Sequence, residues 1–286
     1  LVERGEEVIA VYCAPDREGR PVDPLKQAAV EAGLPVRQPA SFKDPAVLAD
    51  FQALAPELCV MAYVVLLVPE AILNAPTHGT IQYHPSLLPR HRGPSSINWP
   101  IIQGDTKTGL SIFWPDKGLD TGPILLQKEV EIGPDDTLGS LYFDRLFPMG
   151  VDAMLEAVDM VKAGTAPRIP QDESAATYEG WCTKDDVAID WNEPVHEVYN
   201  LIRGANPQPG AWTTHGGRTL QIFDCAMLAE GGGAPGQVTE VSDAGVTVAA
   251  GGGRILVKRV RGEGGDKLPA GAYAADSGLA LGTRLG

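Results

Sequence analysis

The residue of this chain best placed to do chemistry is His84. It follows the run Gly79-Thr-Ile-Gln-Tyr83 and precedes Pro85, a pattern that predicts a strand ending at the histidine. In open α/β sheets ligands bind beyond the carboxyl ends of the strands, and imidazole is the side chain that most often transfers protons near neutral pH. A second polar segment, Asp116-Lys-Gly-Leu-Asp120-Thr-Gly122, lies between two further expected strands. Taken alone, Asp120 before Thr-Gly suits a turn. Other residue types offer less. Cys13, Cys59, Cys182 and Cys225 are scattered, with no CxxC pair and no His/Cys cluster at zinc spacing, so no metal is expected. Gly231-Gly-Gly233 lacks the following Lys-Ser/Thr and the earlier strand of a phosphate loop. His78, His91, His196 and His215 read as structural or surface residues, and Trp99, Phe113 and Trp114 as core packing.

These residues need elements to carry them, and 286 residues are enough for two domains with a core each. Residues 8–12 read as a buried strand, 24–33 and 45–54 as helices, and 58–62 as a strand, which is βαβ punctuation. A short helix is expected at 69–74, then the strand before His84, a helix at 95–104, and strands at 110–114 and 124–132. A helical region follows over 137–162, interrupted at Phe147-Pro148, and 163–173 is rich in Gly, Pro and polar residues, as in a linker. Beyond Trp181 the grammar changes to one helix at 194–203 and two hairpins, turning at His215-Gly-Gly217 and Gly251-Gly-Gly253. A small antiparallel barrel is the natural closure for such edges. The fold class expected is α/β, an open, mostly parallel Rossmann-like sheet over residues 1–175 followed by a small β-barrel over 176–286. Leu1 to Gly5 looks like the last turn of a helix closed by glycine, so the expected first strand is missing.

Composition narrows the partners. The net charge of −14 opposes broad attraction to nucleic acid, because phosphate binding is driven by Lys and Arg releasing counterions. From Asp186 onward there are eleven acidic residues against eight basic ones, an unpromising tRNA surface. The longest apolar stretch, residues 59–68, is half of the roughly 20 residues a membrane span needs. No signal peptide is visible, and unpaired cysteine spacing fits a reduced cytoplasm. A small-molecule partner is expected, with no membrane and no DNA.

Two motifs together, His84-Pro-Ser-Leu-Leu-Pro-Arg-His-Arg-Gly93 and Gly118-Leu-Asp-Thr-Gly122, resemble the enzymes that use 10-formyltetrahydrofolate. That family includes methionyl-tRNA, glycinamide ribonucleotide and amino-sugar formyltransferases and the hydrolase domain of 10-formyltetrahydrofolate dehydrogenase. The last is the nearest in flavour, through Ile97-Asn-Trp99, Phe113-Trp114, Leu146-Phe-Pro148, Ala166-Pro-Arg-Ile-Pro-Gln171, Ala176-Thr-Tyr-Glu-Gly180 and Pro209-Gly-Ala-Trp212. The resemblance implies a two-domain layout with an OB-like carboxyl-terminal domain, and 10-formyltetrahydrofolate as formyl donor.

An N10-formyl group is an amide on an aryl amine, so its removal calls for a nucleophile, a stabilised oxygen and a proton for the departing nitrogen. The resemblance implies that Asp120 orients His84 and helps accept the nucleophile's proton, while His84 stabilises the oxyanion and passes a proton to nitrogen. The transferases carry asparagine two residues before the histidine, whereas this chain has Gln82, which retains an amide donor on a longer stem. The same resemblance makes Met61, Ala62 and Tyr63 the wall beneath the pterin and Asp116, Lys117, Gly118 and Leu119 the backbone that grips it. Leu88 and Arg90 are carried over as binding residues, and Arg90 and Arg92 either solvate their loop or meet the folate glutamate tail. Water is the expected acceptor, which gives tetrahydrofolate by hydrolysis. The alternatives are methionyl-tRNA, which the acidic charge disfavours, a small amine, or a folate-binding module with weakened activity.

Overall fold

The computed structural model describes residues 1–64 and 66–286, so Val65, inside the apolar stretch 59–68, lies outside the described residues. The first part of the chain runs β1 (Val11–Tyr12), α1 (Pro24–Glu31), β2 (Val36–Arg37), α2 (Pro45–Ala53), β3 (Cys59–Met61), α3 (Glu70–Leu73) and β4 (Thr80–His84). It continues through α4 (Asn98–Ile102), β5 (Lys107–Phe113), β6 (Ile124–Glu131), α5 (Leu138–Leu141) and α6 (Phe147–Lys162). Asp23 and Asp44 cap α1 and α2, each accepting from a backbone N–H in the first turn, with proline at the helix start.

By its contacts the chain divides into two units. One comprises residues 1–84, 111–127 and 151–173, and the other 85–110, 128–150 and 174–286. Within the first unit β1 pairs with β2 in parallel, β3 with β4 in parallel, and β4 with the end of β5 antiparallel. The sheet that carries His84 is ordered β3-β4-β5-β6. Its centre is dry, since Ile81, Ile112 and Phe113 are no more than 1% exposed. Residues 8–12 were expected to form a strand, but only Val11 and Tyr12 pair. The interruption expected at Phe147-Pro148 takes the form of a π-helical turn, Tyr142–Leu146, just before α6. Pro148 has no N–H to donate, so a widened turn ahead of it leaves the helix continuous.

Residues 163–173, expected as a linker, are instead docked within the first unit. Ile169 exchanges both backbone hydrogen bonds with Ile124, at 2.8 and 2.9 Å. The Trp114 indole N–H donates to the Pro167 carbonyl at 2.8 Å, and the Arg168 guanidinium lies 3.8 Å from the Trp114 ring centre. The segment is thus fastened to the start of β6 by one isolated antiparallel bridge.

The second unit contains α7 (Val195–Gly204), β7 (Trp212–His215), β8 (Arg218–Ile222), β9 (Cys225–Leu228), β10 (Val238–Ser242), β11 (Gly245–Ala250) and β12 (Gly253–Val257). It closes with β13 (Arg259–Gly262), β14 (Lys267–Pro269) and α8 (Ala270–Ser277). Both expected hairpins form, as β7–β8 and β11–β12. Two four-stranded antiparallel sheets result, ordered β10-β11-β12-β9 and β14-β13-β8-β7. One core joins them through Leu220, Ile222, Val246, Val248, Ile255 and Val257, each at most 2% exposed, with α7 and α8 packed on it. The fold class expected from the sequence is what the structure has: a mixed α/β region with parallel strand pairs, then a sheet-rich region. Among the described residues, no helix is long and apolar enough to cross a membrane.

Candidate active site

The carboxyl end of β4 delivers His84. Its neighbour across the antiparallel pair is Ser111 on β5, and Gln82 stands opposite Phe113 and Met61. Side chains alternate along a strand, so Gln82 and His84 share one face of the sheet. The loop after β5 delivers Asp120. His84 Nδ1 lies 3.6 Å from Asp120 Oδ2, and both side chains are buried, 7% and 6% exposed.

Why this loop needs these residues is legible in its geometry. The Asp116 carboxylate accepts from the Gly118 N–H at 2.9 Å and from the Thr121 hydroxyl at 2.6 Å. A Cβ on Gly118 would overlap the Thr121 hydroxyl, and one on Gly122 would overlap the Trp114 carbonyl. The loop therefore packs too closely for side chains at both glycines. Asp120 itself adopts φ 56°, in the left-handed region, a conformation that for a non-glycine residue is uncommon and clusters at functional sites. Gln171, from the docked segment, donates its amide to the carbonyls of Asp120 and Gly122 at 2.9 and 2.7 Å.

The other expected site residues fall as follows. Met61 is buried at the end of β3 beside Gln82, while Ala62 is exposed and Tyr63 is 90% exposed with φ 55°. Asp116, Lys117, Gly118 and Leu119 form the exposed outer edge of the Asp120 loop. Gln82 is half-buried, and its side-chain amide makes no hydrogen bond to another described residue. Leu88 and Arg90 belong to the second unit, where Leu88 is buried and Arg90 pairs with Asp105 at 3.1 Å. The Cys59 thiol on β3 is no competing nucleophile, because burial pushes its pKa up to about 11, outweighing a hydrogen bond with Thr80. Sequence reasoning missed Gln171 and Ser111 as site neighbours; Ser111 accepts from the Gln127 amide at 2.8 Å. Among the described residues no group of three or more His, Cys, Asp or Glu could hold a metal ion.

A buried imidazole facing a buried carboxylate at a strand's carboxyl end can move protons to and from a bound substrate. Residues 4–158 match the family described as formyl transferase, and residues 182–278 match the formyl transferase C-terminal domain. The chain belongs to the formyl transferase family. Among relatives of the chain, mouse cytosolic 10-formyltetrahydrofolate dehydrogenase is 42% identical over 299 residues, covering 98% of the chain and 33% of that protein. The chain thus spans about a third of that dehydrogenase's length. Methionyl-tRNA formyltransferase of Syntrophus aciditrophicus (strain SB) is 41% identical over 292 residues, covering 100% of the chain and 93% of that protein. Among solved structures, HypX from Aquifex aeolicus in complex with tetrahydrofolic acid shares the fold, with a TM-score of 0.69 at 19% identity, covering 89% of this chain and 44% of that one.

Proposed function

We propose that this enzyme removes the formyl group of 10-formyltetrahydrofolate by hydrolysis, releasing formate and tetrahydrofolate. The buried His84–Asp120 pair, 3.6 Å apart, carries the reading. Water attacks the formyl carbon and gives a proton to Asp120. His84, donating toward the formyl oxygen, stabilises the tetrahedral oxyanion, and a proton passes through the imidazole to N10 as the C–N bond breaks. Gln82, unengaged and on the face that carries His84, is positioned to supply a second donor to that oxygen. Met61, Ala62 and Tyr63 form the wall beneath the pterin, and the backbone of residues 116–119 reads its edge. Residues 1–175 are taken as the catalytic domain and 176–286 as the carboxyl-terminal domain, in a cytoplasmic protein whose four cysteines are free.

Water is favoured as acceptor by the mouse dehydrogenase relative and by the net charge of −14, a poor match to an RNA backbone. The Syntrophus relative, matched over nearly its full length, favours a second reading in which methionyl-tRNA takes the formyl group. Single-turnover release of tetrahydrofolate, with and without charged methionyl-tRNA, separates them. Release without tRNA that Asp120→Asn lowers by about 10²- to 10⁴-fold, to a residual rate that is still measurable, is the expected result. Release only when tRNA is present would replace hydrolysis with transfer.

A further inference from the structure

We propose that Gln171 is a positioning residue for the formyl-group chemistry: its amide fixes the backbone on both sides of Asp120 and so keeps the carboxylate within reach of His84. This rests on the reading that His84 and Asp120 perform the proton transfers, and holds whichever acceptor takes the formyl group.

The primary amide has two N–H donors, and the carbonyls they meet, Asp120 and Gly122, bracket Thr121. Gln171 does not reach the loop from a flexible arm. Ile169, two residues earlier, is paired to Ile124 through both backbone groups, and Trp114 accepts Arg168 on its ring while donating to Pro167. Trp114 and Ile124 flank the loop in sequence, so the clamp and the loop share one foundation. On the other side, Asp116 holds Gly118 and Thr121. Asp120 sits between the two restraints at φ 56°, a backbone conformation that persists only when its surroundings over-determine it.

The consequence follows from distance. The His84–Asp120 separation of 3.6 Å lies near the outer limit of ion-pair distance, so a small relaxation of the loop carries the carboxylate out of reach. Displacing a catalytic group by about 1 Å can cost about 10²-fold in rate. A carboxylate at 171 has no donor for the two carbonyls, and an asparagine is one methylene short.

The test uses the full chain and tetrahydrofolate release from 10-formyltetrahydrofolate, with water or whichever acceptor the single-turnover assay identifies. Gln171→Met is expected to lower kcat by about 10- to 10²-fold with KM within about threefold, and Gln171→Asn to fall between it and wild type. In an Asp120→Asn background, Gln171→Met should cost less than about twofold, because a residue that acts through Asp120 has nothing left to position. Equal losses in both backgrounds, a loss confined to KM, or activity within twofold of wild type would each overturn the proposal. A wild-type chain that releases no tetrahydrofolate with any acceptor would defeat the activity reading instead. Amide hydrogen exchange then decides the positioning: Gln171→Met should speed exchange at Gly118, Thr121 and Gly122 about tenfold, with Tm held, and unchanged exchange would reject the clamp.

Discussion

Two buried histidines seven residues apart in the sequence make opposite use of carboxylates. His84 faces Asp120 at 3.6 Å. His91, in the second unit, stands between Asp105 at 3.1 Å and Glu179 at 3.2 Å, with its backbone N–H donating to the Thr177 hydroxyl at 2.8 Å. Arg90 adds its own pair to Asp105, and the strands of chain around Arg92 and Tyr178 bridge in parallel. On the proposed function it is His84, with the longer contact, that runs the reaction, and His91 that does not. His91 lies between two acids, as a structural cross-link does, whereas His84 meets Asp120 at a longer distance and at the rim of the sheet where ligands bind. On that reading, position at the strand's carboxyl end is a better guide to catalysis than close pairing.

The contrast can be broken by substitution. His84→Ala should lower kcat for tetrahydrofolate release by about 10²- to 10⁴-fold while leaving the melting temperature near wild type, measured by stopped-flow absorbance and calorimetry. His91→Ala should do the reverse. It strands two partly buried carboxylates, so a loss of about 1–3 kcal/mol is expected, or roughly 2–4 °C in Tm per kcal/mol, with kcat within about threefold. A large kcat loss at His91 with unchanged Tm would erase the distinction between the two sites. Glu179→Gln keeps an acceptor for the imidazole and should cost least, about 0.5–1 kcal/mol in denaturant titration. If it cost as much as His91→Ala, the cross-link would rest on Glu179 and not on both acids.

What the sequence made legible follows the range of the interactions involved. The strand that ends at His84 and the two glycine-turned hairpins depend on local pattern, and all three form. The Asp120 loop was visible as a motif, but the reason for its glycines was not, because Gly122 is constrained by the Trp114 carbonyl eight residues away. His91 read as structural or surface; it is buried, and its partner Glu179 is 88 positions distant in the chain. Residues 163–173 failed as a linker for the same reason, since Gly, Pro and polar content does not distinguish free chain from chain whose bonds go to Ile124 and Trp114. Helix α8 was missed because Gly271 and the small residues around it show little periodicity.

The docked segment also sets where this polypeptide can be cut. The formyl transferase match ends at residue 158, and a boundary drawn there, or inside the Gly- and Pro-rich tract after it, would look harmless by composition. Such a truncation would strip Ile169 from its pairing with Ile124 and remove the Gln171 amide from the Asp120 loop. Any fragment meant to report on the chemistry of the first unit must carry the chain through at least Glu173, the last residue of that unit.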